Sequence, residues 1–293
     1  MIITDEIQPL LVTGLSLSEI CKLIRDDIKE EKILQTLRKY GENYLRRYTI
    51  FKNYQSLIRD GEQKLPLIFL ITGMPSIGKT RLAKEIAMTF NIGQILGGDC
   101  LRSAIRSQIN RKKSPEFFTS VYDSWKVFGK KSETTLTKGF QQQAKIMNDV
   151  VLKIVADRGI RDGESMIIEY LHFLPSQWNQ EVLNHISIIP IFLKITNREL
   201  YKKRMLARSH YSHLKSPGTR LLKHIDDYLL MQKFQTTQAE QYNFPVFSLD
   251  NFEKSVQNII DYIIERLEKI NQLKKYPQKI DIVNKIEKER RNK

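Results

Sequence analysis

From residue 66 onward, short continuous runs of apolar residues alternate with longer stretches in which apolar residues recur every three or four positions. Continuous runs are typical of strands buried on both faces, and the longer stretches are typical of amphipathic helices. The alternation predicts an α/β fold in which helices cover both faces of a mostly parallel, five-stranded sheet. The predicted strands are 67–72, 94–97, 165–171, 186–195 and 244–249, and the clearest helical patterns are 137–158, 217–241 and 252–270.

Residues 1–65 show helical periodicity instead, which predicts a small helical module ahead of an α/β domain over 66–270. One helical face there combines Leu17, Ile20, Leu23, Ile24 and Ile28. We expect Ser16 or Ser18 to cap this helix, with Glu19 in its first turn. Within the fourth predicted strand, Pro190 donates no backbone hydrogen bond, so we expect it to mark the start of that strand.

The composition adds a formal net charge of +15 and an apolar fraction of 41%, enough for a buried core. The charge is compatible with nucleic acid, with anionic metabolites or with a basic surface alone. Its densest stretch is the tail over 271–293, for which we expect a solvated end. No run is long and apolar enough for a membrane span, and the N-terminus lacks a secretory pattern. Two cysteines without metal-type spacing favour a cytoplasmic protein. The sequence carries no signal for oligomeric state.

The stretch LIFLITGMPSIGKT, residues 67–80, carries the most specific chemical signal. It contains the G-x-x-x-x-G-K-[ST] spacing of a phosphate-binding loop, between a predicted strand and a predicted helix. Gly73 and Gly78 allow backbone N–H groups to turn toward an anion, at the N-terminus of the helix that follows. Lys79 is expected to reach the β- and γ-phosphates of ATP, and the Thr80 hydroxyl to bind Mg²⁺.

Further polar residues follow the second and third predicted strands, at the edge where ligands gather on parallel sheets. Asp99 is either a helix N-cap or the group that orients or deprotonates an accepting hydroxyl. Arg102 and Arg106 share a helix face, which is either solvated or binds an anionic substrate. Glu169 ends a buried run, where it either holds Mg²⁺ or forms an ion pair. His172 follows without a base or metal partner in the sequence.

Arg204 and Arg208 are also four residues apart, in a helical pattern that runs into Gly- and Pro-containing residues over 209–219. Small-molecule kinases close arginine-bearing lids over the nucleotide, and a mobile segment after this helix fits such a lid. A solvated basic helix is the alternative interpretation.

Seven segments occur in the order and spacing of archaeal 2-phosphoglycerate kinases, and the resemblance extends from about Arg46 to about Ile263. These segments are GMPSIGKT, GGDCLRSAIR, FTSVYDSW, KGFQQQ, SMIIEYLHFLP, YKKRMLAR and RLLKHIDDYLLMQ. The resemblance implies a P-loop, nucleotide-kinase-like three-layer sandwich that uses ATP and Mg²⁺ to convert 2-phosphoglycerate to 2,3-bisphosphoglycerate. Residues 1–65 resemble the second half of an ATP-cone-like module, with a shortened front.

The resemblance also implies roles for individual residues. The implied catalytic residues are Lys79, Asp99, Glu169, Arg204 and Arg208. The implied nucleotide-binding residues are Gly73, Ser76, Gly78, Lys79 and Thr80, of which Thr80 joins Glu169 as a metal ligand. The implied substrate-binding residues are Arg102, Arg106, Ser120, Tyr122 and His172. The expected partner is a small phosphorylated acid, without a membrane.

Three positions depart from the family pattern. Ser76 replaces a glycine, so we expect it to adopt a backbone conformation that glycine takes more easily. Arg81 replaces a second threonine, and Tyr170 replaces a glycine and is expected to reshape the acceptor pocket. Two other functions stay open: an RNA-directed kinase similar to seryl-tRNA kinases, which the +15 charge suits, and a nucleotide-binding regulator without transfer activity.

Overall fold

The computed structural model describes residues 7–25, 29–211, 215 and 218–273. Three of the sequence predictions concern residues outside these ranges, in whole or in part. They are the place of Ile28 on an apolar face, the lid segment over 209–219, and the basic tail over 271–293.

Five parallel strands form one sheet, as the apolar runs predict. They are β1 (Ile68–Thr72), β2 (Gln94–Gly97), β3 (Met166–Tyr170), β4 (Ile188–Lys194) and β5 (Val246–Ser248). Their order across the sheet is β2-β3-β1-β4-β5, so β1 is the central strand. The predicted strand positions are therefore correct within about three residues at each end, the usual uncertainty of strand boundaries.

The prediction that Pro190 starts the fourth strand is wrong. Pro190 is the third residue of β4 and lies opposite Leu70 of β1. On its other side β4 pairs with β5 only from Phe192 to Lys194. At Pro190 the strand therefore has one neighbour, and proline is tolerated where a strand has an open side.

Twelve α-helices are present in the described part of the chain. They are α1 (Gln8–Leu11), α2 (Leu17–Arg25), α3 (Glu30–Tyr40), α4 (Glu42–Arg59), α5 (Lys79–Phe90), α6 (Gly98–Arg106), α7 (Glu133–Ile154), α8 (Gln180–Leu183), α9 (Arg198–Tyr211), α10 (Thr219–Leu222), α11 (Ile225–Gln241) and α12 (Phe252–Gln272). A π-helical segment, Val155–Arg161, continues α7, and 3₁₀ helices cover Pro115–Phe118, Val121–Val127 and Pro175–Gln177. No helix in these ranges is long and apolar enough to cross a membrane.

Separate hydrophobic cores lie on the two faces of the sheet. Phe69 and Ile71 of β1 pack on one face with α5 and α12. The alternate residues, Ile68 and Leu70, pack on the other face with α7 and α8. Because successive strand residues point to opposite faces, the continuous apolar run of β1 fills both cores.

The N-terminal helices α1 to α4 enclose a third, smaller core with Ile7, Leu10, Leu15, Ile20, Leu23, Leu37 and Tyr48. Ser16, and not Ser18, caps α2. Its Oγ accepts a hydrogen bond from the Glu19 N–H at 3.3 Å, and the Glu19 carboxylate accepts one from the Ser16 N–H at 2.8 Å. This reciprocal pair is a capping box.

Two polar side chains attach the N-terminal helices to the rest of the molecule. Gln8 donates from Nε2 to the carbonyls of Met88 and Thr89 at 2.9 and 2.8 Å, which satisfies acceptors at the C-terminal end of α5. Arg47 on α4 donates to Asp261 at 2.8 Å and to Gln257 at 2.5 Å, both on α12. Both ends of the sheet-covering helix layer thus contact this unit.

Two buried glutamines of α11 hold the carboxyl ends of the central strands. Gln235 donates from Nε2 to the Thr72 hydroxyl and to the Leu171 carbonyl, each at 2.8 Å. Gln232 pairs with the backbone of Ile195, accepting from its N–H at 2.9 Å and donating to its carbonyl at 3.0 Å. The backbone groups that leave the sheet here are therefore fixed relative to one another.

The turn between β1 and α5 has three residues with positive φ: Gly73 at 154°, Ser76 at 64° and Gly78 at 113°. A Cβ at Gly73 would lie 2.2 Å from Ile77 Cδ1 and 2.9 Å from the Leu193 carbonyl oxygen, so only glycine fits there. Ser76 takes the left-handed conformation that the missing glycine would take more easily, which confirms that expectation.

Helix α9 holds this turn on both sides of Ser76. The Tyr201 hydroxyl donates to the Pro75 carbonyl at 3.0 Å, and Arg204 Nη1 donates to the Ile77 carbonyl at 3.0 Å. The Ser76 hydroxyl itself is buried and has no hydrogen-bond partner. A strained backbone persists where its surroundings over-determine it, and these two contacts do so.

We expect Ser76→Gly to raise the free energy of unfolding by about 1 kcal/mol. Glycine relieves the left-handed strain and removes a buried, unpaired hydroxyl, and together these gains exceed the added entropy of the unfolded chain. Urea unfolding monitored by circular dichroism measures the difference.

Ser76→Ala is the matched control, because alanine loses the hydroxyl but keeps the strained φ. It should be less stable than the glycine variant by about 1 kcal/mol. A glycine variant less stable than the alanine variant would show that the turn is not strained at this position.

Candidate functional site

Groups from three strand ends meet at the carboxyl edge of the sheet. The Thr80 hydroxyl, in the first turn of α5, donates to Glu169 Oε1 at 2.9 Å. Glu169 is the fourth residue of β3, where the parallel register places it opposite Ile71 of β1 and Gly97 of β2. The pair predicted as metal ligands is therefore in direct contact, as the carboxyl-end rule for parallel sheets leads one to expect.

Lys79 lies in the same turn and folds back against it. Its ammonium donates to the Met74 carbonyl at 3.1 Å. Burial lowers the pKa of Lys79, while the nearby carboxylates of Glu169 and Asp99 act in the opposite direction. The lysine is thus close to both predicted acidic groups, although it forms an ion pair with neither of them.

Asp99 lies in the first turn of α6 and is exposed. The N-cap of α6 is Gly97, and no side chain caps that helix. The capping interpretation of Asp99 is therefore wrong. Its carboxylate has no hydrogen bond within the described ranges, and its charge raises the pKa of Lys79, Arg102 and Arg106.

Arg102 and Arg106 point from one face of α6 to the same backbone segment. Arg102 donates from Nη2 to the Thr119 carbonyl at 2.6 Å and to the Phe117 carbonyl at 3.2 Å. Arg106 donates from Nε to the Phe117 carbonyl at 2.8 Å and from Nη2 to the Thr119 carbonyl at 3.0 Å. The face is therefore not a solvated one: it holds residues 117–119, and Arg102 Nε remains buried without a partner.

The positive charges in this region are not balanced by ion pairs. Burial first, and then the charge of Arg106, lowers the pKa of Arg102 to about 10. Across the part of the chain that the structure describes, Lys79, Arg102 and Arg106 form no ion pair with a carboxylate. Neighbouring like charges that are partly desolvated favour the binding of an anion.

His172 lies in the interior beside this cluster. Burial, and then the charges of Arg102, Lys79 and Arg106, holds its pKa well below the ordinary value, so the ring is neutral at pH 7. Its Nε2 lies 3.2 Å from Gln143 Oε1. Because Gln143 donates from Nε2 to the Glu116 carbonyl at 2.6 Å, its Oε1 must accept, which assigns the proton of His172 to Nε2.

Tyr122 and Ser120 belong to the segment that follows the arginine contacts. Ser120 is half-buried at the start of the 3₁₀ helix over Val121–Val127, and its side chain does not cap that helix. The Tyr122 ring stacks on His224 with centroids 3.8 Å apart and meets Tyr228 edge-on at 6.0 Å. The two predicted substrate residues thus lie between the arginine-bound segment and α11.

Tyr170 does not lie beside Glu169, contrary to the expectation that it narrows the acceptor pocket. Its ring points to the opposite face of the sheet, where it is fully buried and its hydroxyl donates to Asn148 Oδ1 at 3.0 Å. A Cβ on Gly98 would lie 2.4 Å from Tyr170 Cβ. The large residue in β3 is therefore matched by glycine in the first turn of α6.

The two predicted lid arginines of α9 differ in their surroundings. Arg204 donates to the Ile77 carbonyl and, at 2.7 Å, to the Leu249 carbonyl, so it connects the β1–α5 turn to the end of β5. Arg208 lies close enough to Lys79 for its charge to lower the pKa of that lysine. Arg208 is thus directed to the site, while both known contacts of Arg204 are structural.

The predictions from sequence did not include Tyr201, Gln143, Gln232 and Gln235. These side chains hold the turn, the arginine-bound segment and the strand ends. Their only sequence signal is a polar atom on an otherwise apolar helix face, since Gln143, Gln235 and Tyr201 are almost entirely buried.

No three or more His, Cys, Asp or Glu side chains come together as a metal site in the ranges given above. The oxygens available to a cation at the strand ends are those of Thr80 and Glu169, the first exposed and the second half-buried. Such a pair suits Mg²⁺, which binds one or two protein oxygens and retains water or phosphate oxygens for the rest.

No protein-family model matches the chain. A mevalonate-3-phosphate 5-kinase from Thermoplasma acidophilum is 30% identical over 194 residues, which are 66% of this chain and 94% of that protein. The 2-phosphoglycerate kinase of Methanopyrus kandleri is 27% identical, over 90% of this chain and 76% of the relative. That of Methanocaldococcus jannaschii is 29% identical, over 84% and 82%.

An uncharacterized protein of known structure from Eubacterium ventriosum ATCC 27560 covers 68% of this chain and 98% of its own, with a TM-score of 0.38 at 15% identity. A likeness this slight has no bearing on fold or function. The curated relatives do, because each is matched over three quarters or more of its own length. The chain belongs to the family of the archaeal 2-phosphoglycerate kinases.

Proposed function

We propose that this protein is an ATP-dependent phosphotransferase that transfers the γ-phosphoryl group to a hydroxyl of a small, phosphorylated acid, with 2-phosphoglycerate as the first candidate. The observation that carries the proposal is the contact of Thr80 with Glu169 beside a lysine and two arginines that lack carboxylate partners. A cation site next to a concentration of positive charge suits a metal–triphosphate complex and a second anion.

On the donor side, the turn over residues 73–78 presents its backbone at the N-terminus of α5, where an anion is favoured. Lys79 would leave the Met74 carbonyl to neutralise charge on the β- and γ-phosphates. Thr80 and Glu169 would hold Mg²⁺. When bound, Mg²⁺ bridges phosphate oxygens and neutralises the charge that develops during transfer.

On the acceptor side, Asp99 is the free carboxylate nearest to Lys79 that can accept the proton of an attacking hydroxyl. Arg102 and Arg106 would bind the phosphate or carboxylate of the acceptor with the N–H groups that residues 117–119 leave free, including the unpaired Nε of Arg102. Neutral His172 offers a hydrogen bond without adding a charge. Arg208 would stabilise charge on the transferred group.

The names of the relatives define one chemical class of acceptor. Both 2-phosphoglycerate and mevalonate 3-phosphate carry a carboxylate, a phosphate and a primary hydroxyl, and they differ in carbon skeleton. Two anionic groups on one small molecule suit two adjacent arginines and a lysine. Mevalonate 3-phosphate is the second candidate, because the relative that acts on it is matched at 30% identity over 94% of its length.

Purified protein with Mg²⁺ and ATP should release ADP at least tenfold faster when 2-phosphoglycerate is added. Each charge-assisted hydrogen bond to the acceptor contributes about 1.5–3 kcal/mol, so glycerate, which lacks the phosphate, should be at least tenfold poorer in kcat/KM. A coupled ADP assay measures both values. The panel also contains 3-phosphoglycerate, mevalonate 3-phosphate and mevalonate.

Each outcome of this panel assigns the acceptor or rejects it. Preference for mevalonate 3-phosphate would replace the first candidate with the second and keep the chemistry. ADP binding without turnover on any acceptor would favour a nucleotide-binding regulator. Turnover that requires RNA, with an affinity for RNA that falls steeply with salt, would favour an RNA-directed kinase instead.

Glu169→Gln should raise the Mg²⁺ concentration needed for half-maximal rate by about 10- to 100-fold, because the amide keeps the shape but loses the charge that attracts the cation. Steady-state rates over a Mg²⁺ titration give this value. Glu240→Gln, at an exposed position near the end of α11, is the control and should leave the titration unchanged.

Asp99→Asn should lower kcat by about 10²- to 10⁴-fold, the usual contribution of a positioned base, and leave the KM for ATP nearly unchanged. Single-turnover measurements report the chemical step directly. A kcat within twofold of the wild type would remove Asp99 from the proposed mechanism.

A further inference from the structure

The groups proposed to act on the acceptor lie on one side of the central strand. Asp99 and Arg102 follow β2, and Glu169 and His172 lie at the end of β3, all on the same side of β1. In phosphoryl transfer the attacking and leaving oxygens are roughly in line. If the proposed function is correct, the nucleoside therefore extends the other way, over the ends of β4 and β5.

A flat, charged surface lies at the end of β5, beside the β1–α5 turn. The guanidinium of Arg81, the residue after Thr80, lies over the ring of Phe252 with its Cζ 3.8 Å from the ring centroid. Arg81 Nη2 also donates to Glu253 Oε1 at 3.2 Å. Phe252 in turn borders the turn, because a Cβ on Gly78 would lie 3.9 Å from its ring.

The backbone that supports this stack is held firmly. Asp250 accepts hydrogen bonds from the N–H groups of Thr196 and Asn197 at 3.0 and 3.1 Å and from the Ser248 hydroxyl at 2.6 Å. Arg204 connects Leu249 to the β1–α5 turn, as described above. The start of α12 therefore has a defined position relative to the turn, and so does the Phe252 ring.

Only one face of the Arg81 guanidinium is covered. Phe252 is 8% exposed and lies beneath it, while the Arg81 side chain keeps 65% of its surface in solvent. A guanidinium plane stacks readily on aromatic rings and on nucleobases. We propose that the outer face of Arg81, supported by Phe252 and oriented by Glu253, is the surface on which the base of the nucleotide stacks.

This assignment gives a physical reason for arginine at position 81. A threonine there would offer a hydroxyl and no planar surface. An arginine offers a plane already ordered by Phe252 and Glu253, so little side-chain freedom is lost when the base binds. The competing assignment makes Arg81 a ligand of a phosphate group, in which case its charge matters and its plane does not.

The two assignments differ in the binding of a ligand that has phosphates and no base. Isothermal titration calorimetry in Mg²⁺ compares ADP with inorganic tripolyphosphate, for the wild type and for Arg81→Gln. We expect Arg81→Gln to bind ADP about tenfold more weakly, within the usual range for loss of a base-stacking partner. Its affinity for tripolyphosphate should remain within twofold of the wild type.

Two further variants separate the plane from the charge. Arg81→Lys keeps the charge without the guanidinium and should also lose several-fold in ADP affinity. Lys84→Gln removes one exposed positive charge a turn further along α5 and should leave both affinities unchanged. Equal losses for ADP and tripolyphosphate in Arg81→Gln, or full ADP affinity in Arg81→Lys, would overturn base stacking in favour of phosphate binding.

The measurement needs no acceptor, so it is separable from the proposed reaction. A wild-type protein that binds ADP but fails the acceptor panel would sink the kinase assignment alone. A wild-type protein with no affinity for ADP would sink both. Unchanged ADP affinity in Arg81→Gln would overturn only the role of Arg81.

Discussion

The parallel pairing of β1 with β3 is the constraint on which the site depends. Its register places Glu169 at the level of Ile71, two residues before Gly73, so the helix that opens at Lys79 brings Thr80 within hydrogen-bonding distance of the carboxylate. A shift of β3 by one residue would turn Glu169 to the other face and expose Tyr170, which fills the second core. The packing of that core and the contact of Thr80 with Glu169 thus require the same register.

A second property of the site is its unbalanced positive charge. Placing Lys79, Arg102 and Arg106 close together without carboxylate partners is unfavourable in the free protein, and the lowered pKa values of all three reflect it. Backbone carbonyls at Met74, Phe117 and Thr119 supply partial compensation. An anionic ligand would remove the remaining cost, so its binding energy includes relief of repulsion that already exists in the free protein.

Much of this arrangement was accessible from sequence. Continuous apolar runs located all five strands, and the carboxyl-end rule brought Thr80, Glu169 and Lys79 together correctly. The contacts of α9 and α11 were not accessible, because Tyr201 meets Pro75 across 126 positions and Gln235 meets Thr72 across 163. Pro190 misled because proline propensity describes an average strand, and β4 has an open side at that residue.

The positions at which this chain departs from its family are informative when placed in the structure. Tyr170 is buried beneath α6, away from Glu169, so it leaves the strand-end carboxylate unchanged. Ser76 and Arg81 both lie on the donor side, around the β1–α5 turn. The residues that contact the arginine-bound segment instead belong to the 115–128 region and to α7 and α11. Differences in acceptor within the family therefore have a natural place in those segments, separate from the strand ends that bind the phosphoryl donor in the proposed reaction.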